Sequence, residues 1–353
     1  MDGISDPALA ALTGALGGLL LGLAARLGRF CTLGAIEDAL YGGSFARLRM
    51  WALALGVAIA GTFFATGTGL ISIESSIYAA LEWNPLASIA GGLIFGYGMA
   101  ISGNCGFGAL ARLGGGDMRS FVIVVVMGVV ALMTVSGPLA HARLWLFPPV
   151  EASGDMSAYG FAHMAESTLG LPKLAVAVLV AIPLVGWALV DREFRRDANK
   201  VFWSLVVATA ILSGWIGTTW VADLAFDPVR VQSHTFTAPV GESILYLMTS
   251  TGGGLGFAEG AVAGVVVGAV IGSFIRGQFH WEACEDPREL GRQALGGALM
   301  GFGAVVSLGC SVGQGLTAFS TLYFGAPVTL ICIFLGAALG LRQLIHGFMP
   351  GRA

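Results

Sequence analysis

The chain has 353 residues, of which 56% are hydrophobic and only 11% are charged, and its mean hydropathy is +0.82. Soluble domains carry about 25% charged residues, so this composition excludes a soluble globular protein and predicts an all-α integral membrane protein. The formal net charge of -3 argues against a nucleic-acid partner, and the 54 glycines indicate helices that pack closely in lipid.

Apolar runs of about 20 residues, the length that crosses a bilayer, predict about nine transmembrane helices. Shorter apolar stretches rich in Gly, Ser or Thr lie between them, and their length predicts about four re-entrant helices. The predicted transmembrane helices are approximately 8–27, 50–72, 86–104, 119–139, 171–190, 201–222, 256–275, 292–309 and 325–345. The predicted re-entrant helices are approximately 31–41, 105–113, 237–249 and 311–322.

The lysine and arginine residues predict the orientation of these helices. Nine spans place successive connecting segments on alternate sides of the membrane. One side then receives only three of the 18 basic residues, Arg143, Lys173 and Arg230, and the other side receives fifteen. The positive-inside rule places the other side in the cytoplasm. We therefore expect a multi-pass protein of the bacterial inner membrane, with a periplasmic N-terminus and a cytoplasmic C-terminus.

One segment of the sequence occurs twice. Gly91–Gly108 aligns with Gly296–Gly313 at a constant offset of 205, and seven of the 18 positions are identical. The two copies are five predicted crossings apart, so they face opposite sides, as in the inverted repeats of transporters. This alignment predicts a first half at 1–150, a connecting loop and linking span at 151–199, and a second half at 200–353.

Three of the five cysteines stand where a predicted span meets a short helix. Such a position places a thiol among the free N–H groups of a helix N-terminus, which favour anions. A thiol is a weak donor with a soft sulfur, so this arrangement suits a soft sulfur anion. Cys332 is interpreted as a packing residue and Cys284 as incidental. The three candidate residues are Cys31 in RFCTLGAIEDAL, Cys105 in GNCGFGALARL and Cys310 in GCSVGQGLTAF.

Neighbouring residues could support the site. Arg29 could attract an anion or serve as an ordinary positive-inside anchor, and Asn104 and Gly106 flank Cys105. Ser311 and Gln314 could donate hydrogen bonds to an oxyanion or simply pack.

Alternative roles for the cysteines stay open. They could pack as small apolar groups, carry sulfur as a persulfide, bind a soft Cu(I)-like ion or sense redox state. No His, Asp or Glu adjoins Cys105 or Cys310 and no CxxC occurs, so no metal site is predicted.

In GRFCTLGAIED, GNCGFGALARLGGG and GCSVGQGLTAFS the chain resembles the YeeE/YedE family of sulfur-transport membrane proteins. The resemblance implies uptake of thiosulfate, without a cofactor or an enzymatic reaction, through inverted halves with plug-like short helices. It implies that Cys31, Cys105 and Cys310 relay the ion by transient S–H···S hydrogen bonds. It also implies a cytoplasmic TusA-like sulfur carrier as a partner. Relatives linked to selenium or to other sulfur compounds keep related small anions open as substrates.

Overall fold

The computed structural model of the protein describes residues 5–148, 160–225, 229–251, 254–283 and 286–347. Within these ranges the chain is helical, and β-structure is limited to isolated bridges such as the one between Gly160 and Tyr323. The predicted all-α class is therefore confirmed.

Nine long helices lie within five residues of the nine predicted spans. Eight segments built on these helices are long and apolar enough to cross a membrane. The ninth helix, α15, is not among them, and its first turns carry Arg288, Glu289 and Arg292. The count of nine crossings therefore stays a prediction. The nine helices are α1 (Asp6–Leu27), α3 (Ala46–Gly67), α5 (Pro85–Ser102), α7 (Met118–Val135), α10 (Lys173–Val190), α12 (Ala198–Leu224), α14 (Phe257–Ile275), α15 (Pro287–Val306) and α16 (Gly325–His346).

Short helices form at all four segments predicted to be re-entrant. They are α2 (Thr32–Leu40), α6 (Gly106–Leu113), α13 (Thr237–Thr249) and a helical segment at 311–320 whose central part, Gly313–Ala318, is a π-helix. A π-helix is rare and often occurs at functional sites. The remaining short helices are α4 (Ile77–Ala80), α8 (Pro138–Leu146), α9 (Phe161–Leu169) and α11 (Arg192–Arg196), with a 3₁₀ turn at Ile73–Ser75.

Several helices begin at residues that cap them. The side chain of Asn84 accepts the N–H of Ala87 at 3.1 Å before α5, and Pro85 occupies the first helical position, where its missing N–H costs nothing. The Asp117 carboxylate caps α7 in the same way through the N–H of Arg119 at 3.0 Å. These caps stop each helix from extending backwards into the short segment that precedes it.

Glycines allow helix backbones to touch. A Cβ atom added to Gly14, Gly18 or Gly22 of α1 would collide with backbone carbonyl oxygens of α14. The reverse collision would occur at Gly260, Gly264 and Gly268 of α14 against the carbonyl groups of α1. Close approach of this kind is the main source of helix association in lipid, where hydrophobic driving force is absent.

Helix pairing crosses between the two predicted halves. Helix α1 packs on α14 and α12 packs on α3, while α5 packs on α16 and α15 packs on α7. A Cβ on Gly91 would lie 2.7 Å from the carbonyl oxygen of Gly303, and a Cβ on Gly296 would lie 2.6 Å from that of Gly98. Both contacts have the same form once positions are shifted by 205. Two halves related by a pseudo-twofold axis would produce this reciprocity, and the division at 150 and 200 stays a prediction.

Candidate functional site

The three candidate cysteines each cap the start of a short helix. Their sulfur atoms accept the backbone N–H of a glycine three residues further on. Since the sulfur acts as the acceptor, this contact does not use the S–H proton, which is a weak donor. The Sγ···N distances are 3.4 Å from Cys31 to Gly34, 3.2 Å from Cys105 to Gly108 and 3.4 Å from Cys310 to Gly313.

The short helices bring these residues together. Cys105 and Cys310 are buried, whereas Cys31 is partly exposed. The Cys105 thiol lies near the Ser311 hydroxyl, and Cys31 and Cys310 are also its neighbours. The buried hydroxyl of Thr32 donates to that of Ser311 at 3.1 Å. The structure therefore joins the three predicted thiols and Ser311 in one cluster, which we call the thiol cluster.

The segment that precedes the fourth short helix, α13, contributes a hydroxyl group to the cluster instead of a thiol. Thr235 Oγ1 lies 3.5 Å from Cys310 Sγ, just before α13 begins. Phe236 occupies the cap position of α13, which is the position of Cys31 plus 205. Its ring is fully buried and packs 5.3 Å from the ring of Phe107. The sequence has no cysteine at this position, and the structure fills it with an aromatic ring.

The other predicted support residues have different surroundings. Asn104 is buried beside Cys105 and lines the cavity described next. A Cβ on Gly106 would lie 2.7 Å from the sulfur of Met127, so this glycine permits close packing. The Gln314 side-chain nitrogen donates to the carbonyl oxygen of Ser307 at 2.7 Å. Its Oε1 atom is buried and has no hydrogen-bond partner in the part of the chain that the structure describes.

An arginine-rich cavity of about 310 Å³ opens beside Cys31. Sequence analysis singled out Arg29 alone and assigned Arg26, Arg47, Arg112 and Arg276 only to the positive-inside set. Their convergence depends on contacts between α1, α3, α6 and α14, and no local motif signals it. We call it the arginine cavity; it is lined by Arg26, Arg29, Arg47, Arg112 and Arg276 together with Cys31, Glu37 and Asn104.

The opposite end of α3 leads to a closed surface. Arg47 lies in the first turn of α3, whereas Tyr78 lies on α4, which comes after the end of α3, and donates to the Gly313 carbonyl oxygen at 3.5 Å. The space lined by Tyr78, His163 and Thr321 holds only about 10 Å³. Burial raises the pKa of the Tyr78 phenol, so it stays a protonated donor. Burial also lowers the pKa of His163, so the imidazole is neutral at pH 7.

Cys332 stands apart from the thiol cluster. Cys332 is buried on α16, and a Cβ added to Gly92 would lie 2.8 Å from its Cβ atom. Cys284 lies outside the described residues. Among the residues that are described, no group of three or more His, Cys, Asp or Glu side chains could hold a metal ion.

Comparisons with known proteins identify related chains. A family model described as "Sulphur transport" matches residues 27–339. A protein of Spirochaeta thermophila called thiosulfate transporter TsuA is 25% identical over 332 residues, which cover 92% of this chain and 96% of the relative. A protein of the same name from Escherichia coli is 27% identical over 346 residues, which cover 92% of each chain.

Proposed function

The chain belongs to the sulphur transport family, and from that premise we propose that it takes up thiosulfate, or a related small sulfur anion, across the inner membrane. Two relatives similar along nearly their whole length carry the name thiosulfate transporter. The apolar helices agree with a multi-pass membrane protein. The role is transport, without a catalysed reaction.

One observation carries the mechanism: each of the three cysteine sulfurs caps a helix by accepting a backbone N–H, and this contact does not use the S–H proton. A thiosulfate ion is a dianion whose negative charge is shared between a soft terminal sulfur and three oxygens. The thiols can donate weak hydrogen bonds to the terminal sulfur, and the helix N-termini favour its charge. Hydroxyl groups such as that of Ser311 can donate to the oxygens.

Several weak sites in series suit conduction. An ion must bind strongly enough to leave water and weakly enough to move on. A neutral thiol attracts the ion without holding it as an ammonium or guanidinium group would. We propose that the ion passes from Cys310 to Cys105 and then to Cys31, because Cys310 lies next to the Tyr78 contact and Cys31 lines the arginine cavity.

The basic residues support the direction. The arginine cavity would face the cytoplasm under the positive-inside rule, so the N-terminus would be periplasmic. The ion would then arrive at an inner cavity where a cytoplasmic TusA-like sulfur carrier could receive its sulfur. This partner rests on the family resemblance alone.

A persulfide mechanism is the main competing proposal. Three neighbouring thiols could pass a sulfur atom covalently, and the protein would then act as a sulfurtransferase. Mass spectrometry of the protein after turnover separates the two mechanisms. A relay of hydrogen bonds leaves the mass unchanged, whereas a persulfide adds the mass of one sulfur atom to a cysteine.

The decisive experiment measures uptake of sulfur-labelled thiosulfate into cells that lack other thiosulfate carriers. Cys105→Ala and Cys310→Ala should abolish most uptake at matched expression, while Cys332→Ala serves as a control outside the cluster. Full uptake by all three variants would contradict the thiol pathway. No uptake even by the unmodified protein would contradict thiosulfate as the substrate, and other sulfur or selenium anions and then Cu(I) would be tested.

A further inference from the structure

The arginine cavity collects positive charge that its own residues do not neutralise. Five arginines line it, and Glu37 is the one acidic residue in its lining. Arg112 and Arg276 are close enough to Arg26 to repel its charge. Like charges held together in a half-buried site cost free energy unless an ion of opposite charge joins them.

Three acidic groups around the cavity are held in ion pairs with arginines, one of which belongs to the cavity. Asp38 pairs with Arg47 at 3.3 Å. Asp117 and Glu282 both pair with Arg119, at 3.2 and 2.8 Å. These pairs neutralise Arg47 but leave Arg29 and Arg112 without an ion pair among the described residues.

Two arginines are free to bind a ligand. The side chains of Arg29 and Arg112 are exposed and form no ion pair or side-chain hydrogen bond with the described residues. A guanidinium group presents a planar fork of donors that matches the oxygens of an oxyanion. A cavity of about 310 Å³ has ample room for one small tetrahedral anion and its water.

We propose that the arginine cavity is a binding site for a doubly charged oxyanion, such as sulfate or phosphate, that is recognised by charge and oxygen geometry and not by sulfur. Guanidinium groups do not distinguish a terminal sulfur from a terminal oxygen in the way that thiols do. The site therefore accepts anions that the thiol cluster does not pass.

Its place beside Cys31 gives the site a consequence for transport, which rests on the proposed function. An oxyanion held among Arg29, Arg112 and their neighbours stands at the mouth of the cavity that Cys31 lines. It repels a second dianion that arrives at Cys31. Oxyanions on the arginine side therefore slow thiosulfate entry, and uptake falls as they accumulate there.

The first test measures binding of radiolabelled sulfate to the purified full-length protein in detergent. We expect saturable binding that phosphate displaces and that chloride at matched ionic strength does not. The double variant Arg29→Gln/Arg112→Gln should bind at least about tenfold more weakly, because it loses two charge-assisted contacts. Arg196→Gln is the matched control, since Arg196 is an exposed arginine outside the cavity lining.

Stability separates a binding role from a structural one. Removal of two charges that form no ion pair with the described residues should leave the melting temperature without sulfate equal to that of the unmodified protein or above it. A lower melting temperature would mean that Arg29 and Arg112 hold the fold together, and this would overturn the proposal. Equal sulfate binding by the double variant and the unmodified protein would also overturn it.

The source of the anion is tested with a short-chain phosphatidic acid. Binding of this lipid without any binding of sulfate would overturn the proposal in favour of a lipid headgroup site. Cys105→Ala should keep sulfate binding while it loses uptake. This variant distinguishes the two proposals. Loss of sulfate binding with uptake that still depends on the thiols would contradict only the oxyanion site, whereas loss of uptake with sulfate binding retained would concern only the thiol pathway.

Proteoliposomes test the effect on transport. Vesicles loaded with sulfate should take up thiosulfate several-fold more slowly than vesicles loaded with chloride, through molecules whose arginine side faces the lumen. The double variant should lose this difference. Equal slowing in the double variant would show that sulfate acts elsewhere and would overturn the regulatory part of the proposal.

Discussion

Cys105 performs two tasks that can be separated by substitution. Its sulfur accepts the Gly108 N–H at 3.2 Å and so caps α6. In the proposed pathway its S–H donates to the passing ion. Serine retains an acceptor for the cap and a donor for the ion, whereas alanine retains neither. The comparison of Cys105→Ser with Cys105→Ala therefore measures both tasks.

The expected loss of stability follows from the cap. Loss of a capping side chain costs about 0.5–2 kcal/mol, and Cys105 is fully buried, so alanine also leaves a small void. Cys105→Ala should therefore unfold at a lower temperature than the unmodified protein. Cys105→Ser should lie close to the unmodified protein, because its hydroxyl can bond to both Gly108 and Ser311.

The expected loss of transport is larger. A hydrogen bond to a charged partner contributes about 1.5–3 kcal/mol, which corresponds to roughly tenfold to a hundredfold in rate if it is lost from the barrier. Initial rates of labelled thiosulfate uptake at matched expression should fall by that factor in Cys105→Ala and by less in Cys105→Ser. Full activity of both variants would refute the donor role. An inactive but stable serine variant would refute a hydrogen-bond relay and favour covalent transfer.

Four further outcomes are expected. Cys332→Ala should keep uptake within about twofold, as measured in the same assay, because a buried thiol that only packs contributes little beyond its volume. Gly303→Ala should lower the melting temperature and the yield, since its Cβ would lie 2.6 Å from the Phe95 backbone nitrogen and force α5 and α15 apart. A charged methanethiosulfonate reagent, with labelling followed by mass spectrometry, should modify Cys31 well before Cys105, and modification of both at equal rates would contradict the described burial. Tyr78→Ala should make Cys310 reactive to the same reagent from the side opposite the arginine cavity, and continued protection would exclude Tyr78 as the cover of that side.

The long helices were predictable because lipid imposes a simple rule on the chain. Each backbone group must be satisfied within its own helix, so about 20 apolar residues in a row suffice to identify a span. The short helices were predictable for a related reason, since their apolar runs are too short to cross. Helix α15 is the instructive exception. It lies between α5 and α7, so its exposure to lipid is limited and it tolerates polar residues that weaken its apolar signal.

The repeat was predictable from glycine positions because glycine marks backbone contact. The offset of 205 also relates two turns whose residue types differ. Gly103 has a φ angle of 73° and Leu308 has one of 58°. The same left-handed turn precedes both short helices, although leucine seldom adopts it. The two positions share the left-handed conformation although their residue types differ. A comparison of residue types could therefore not reveal the shared turn.

The arginine cavity was not predictable from the sequence. Arg26 and Arg276 are 250 positions apart, and they meet only because glycines bring α1 and α14 into contact. The shared Cys-x-x-Gly spacing at Cys31, Cys105 and Cys310 is a local signal that sequence analysis overlooked. It places a sulfur acceptor opposite an N–H group that would otherwise lack a partner at the start of a helix.

The cap position of α13 bears on the reversibility of the pathway. Cys105 and Cys310 are equivalent under the offset of 205, so an ion that moves between them meets similar groups in either direction. The fourth position holds the ring of Phe236 where a matching thiol would stand. A phenyl ring offers a dianion neither a hydrogen-bond donor nor a soft sulfur. The binding positions for the ion are therefore not symmetric between the two halves. A preference for inward over outward transport would then arise from Phe236 and the arginine cavity. Both lie outside the nearly symmetric pair of Cys105 and Cys310.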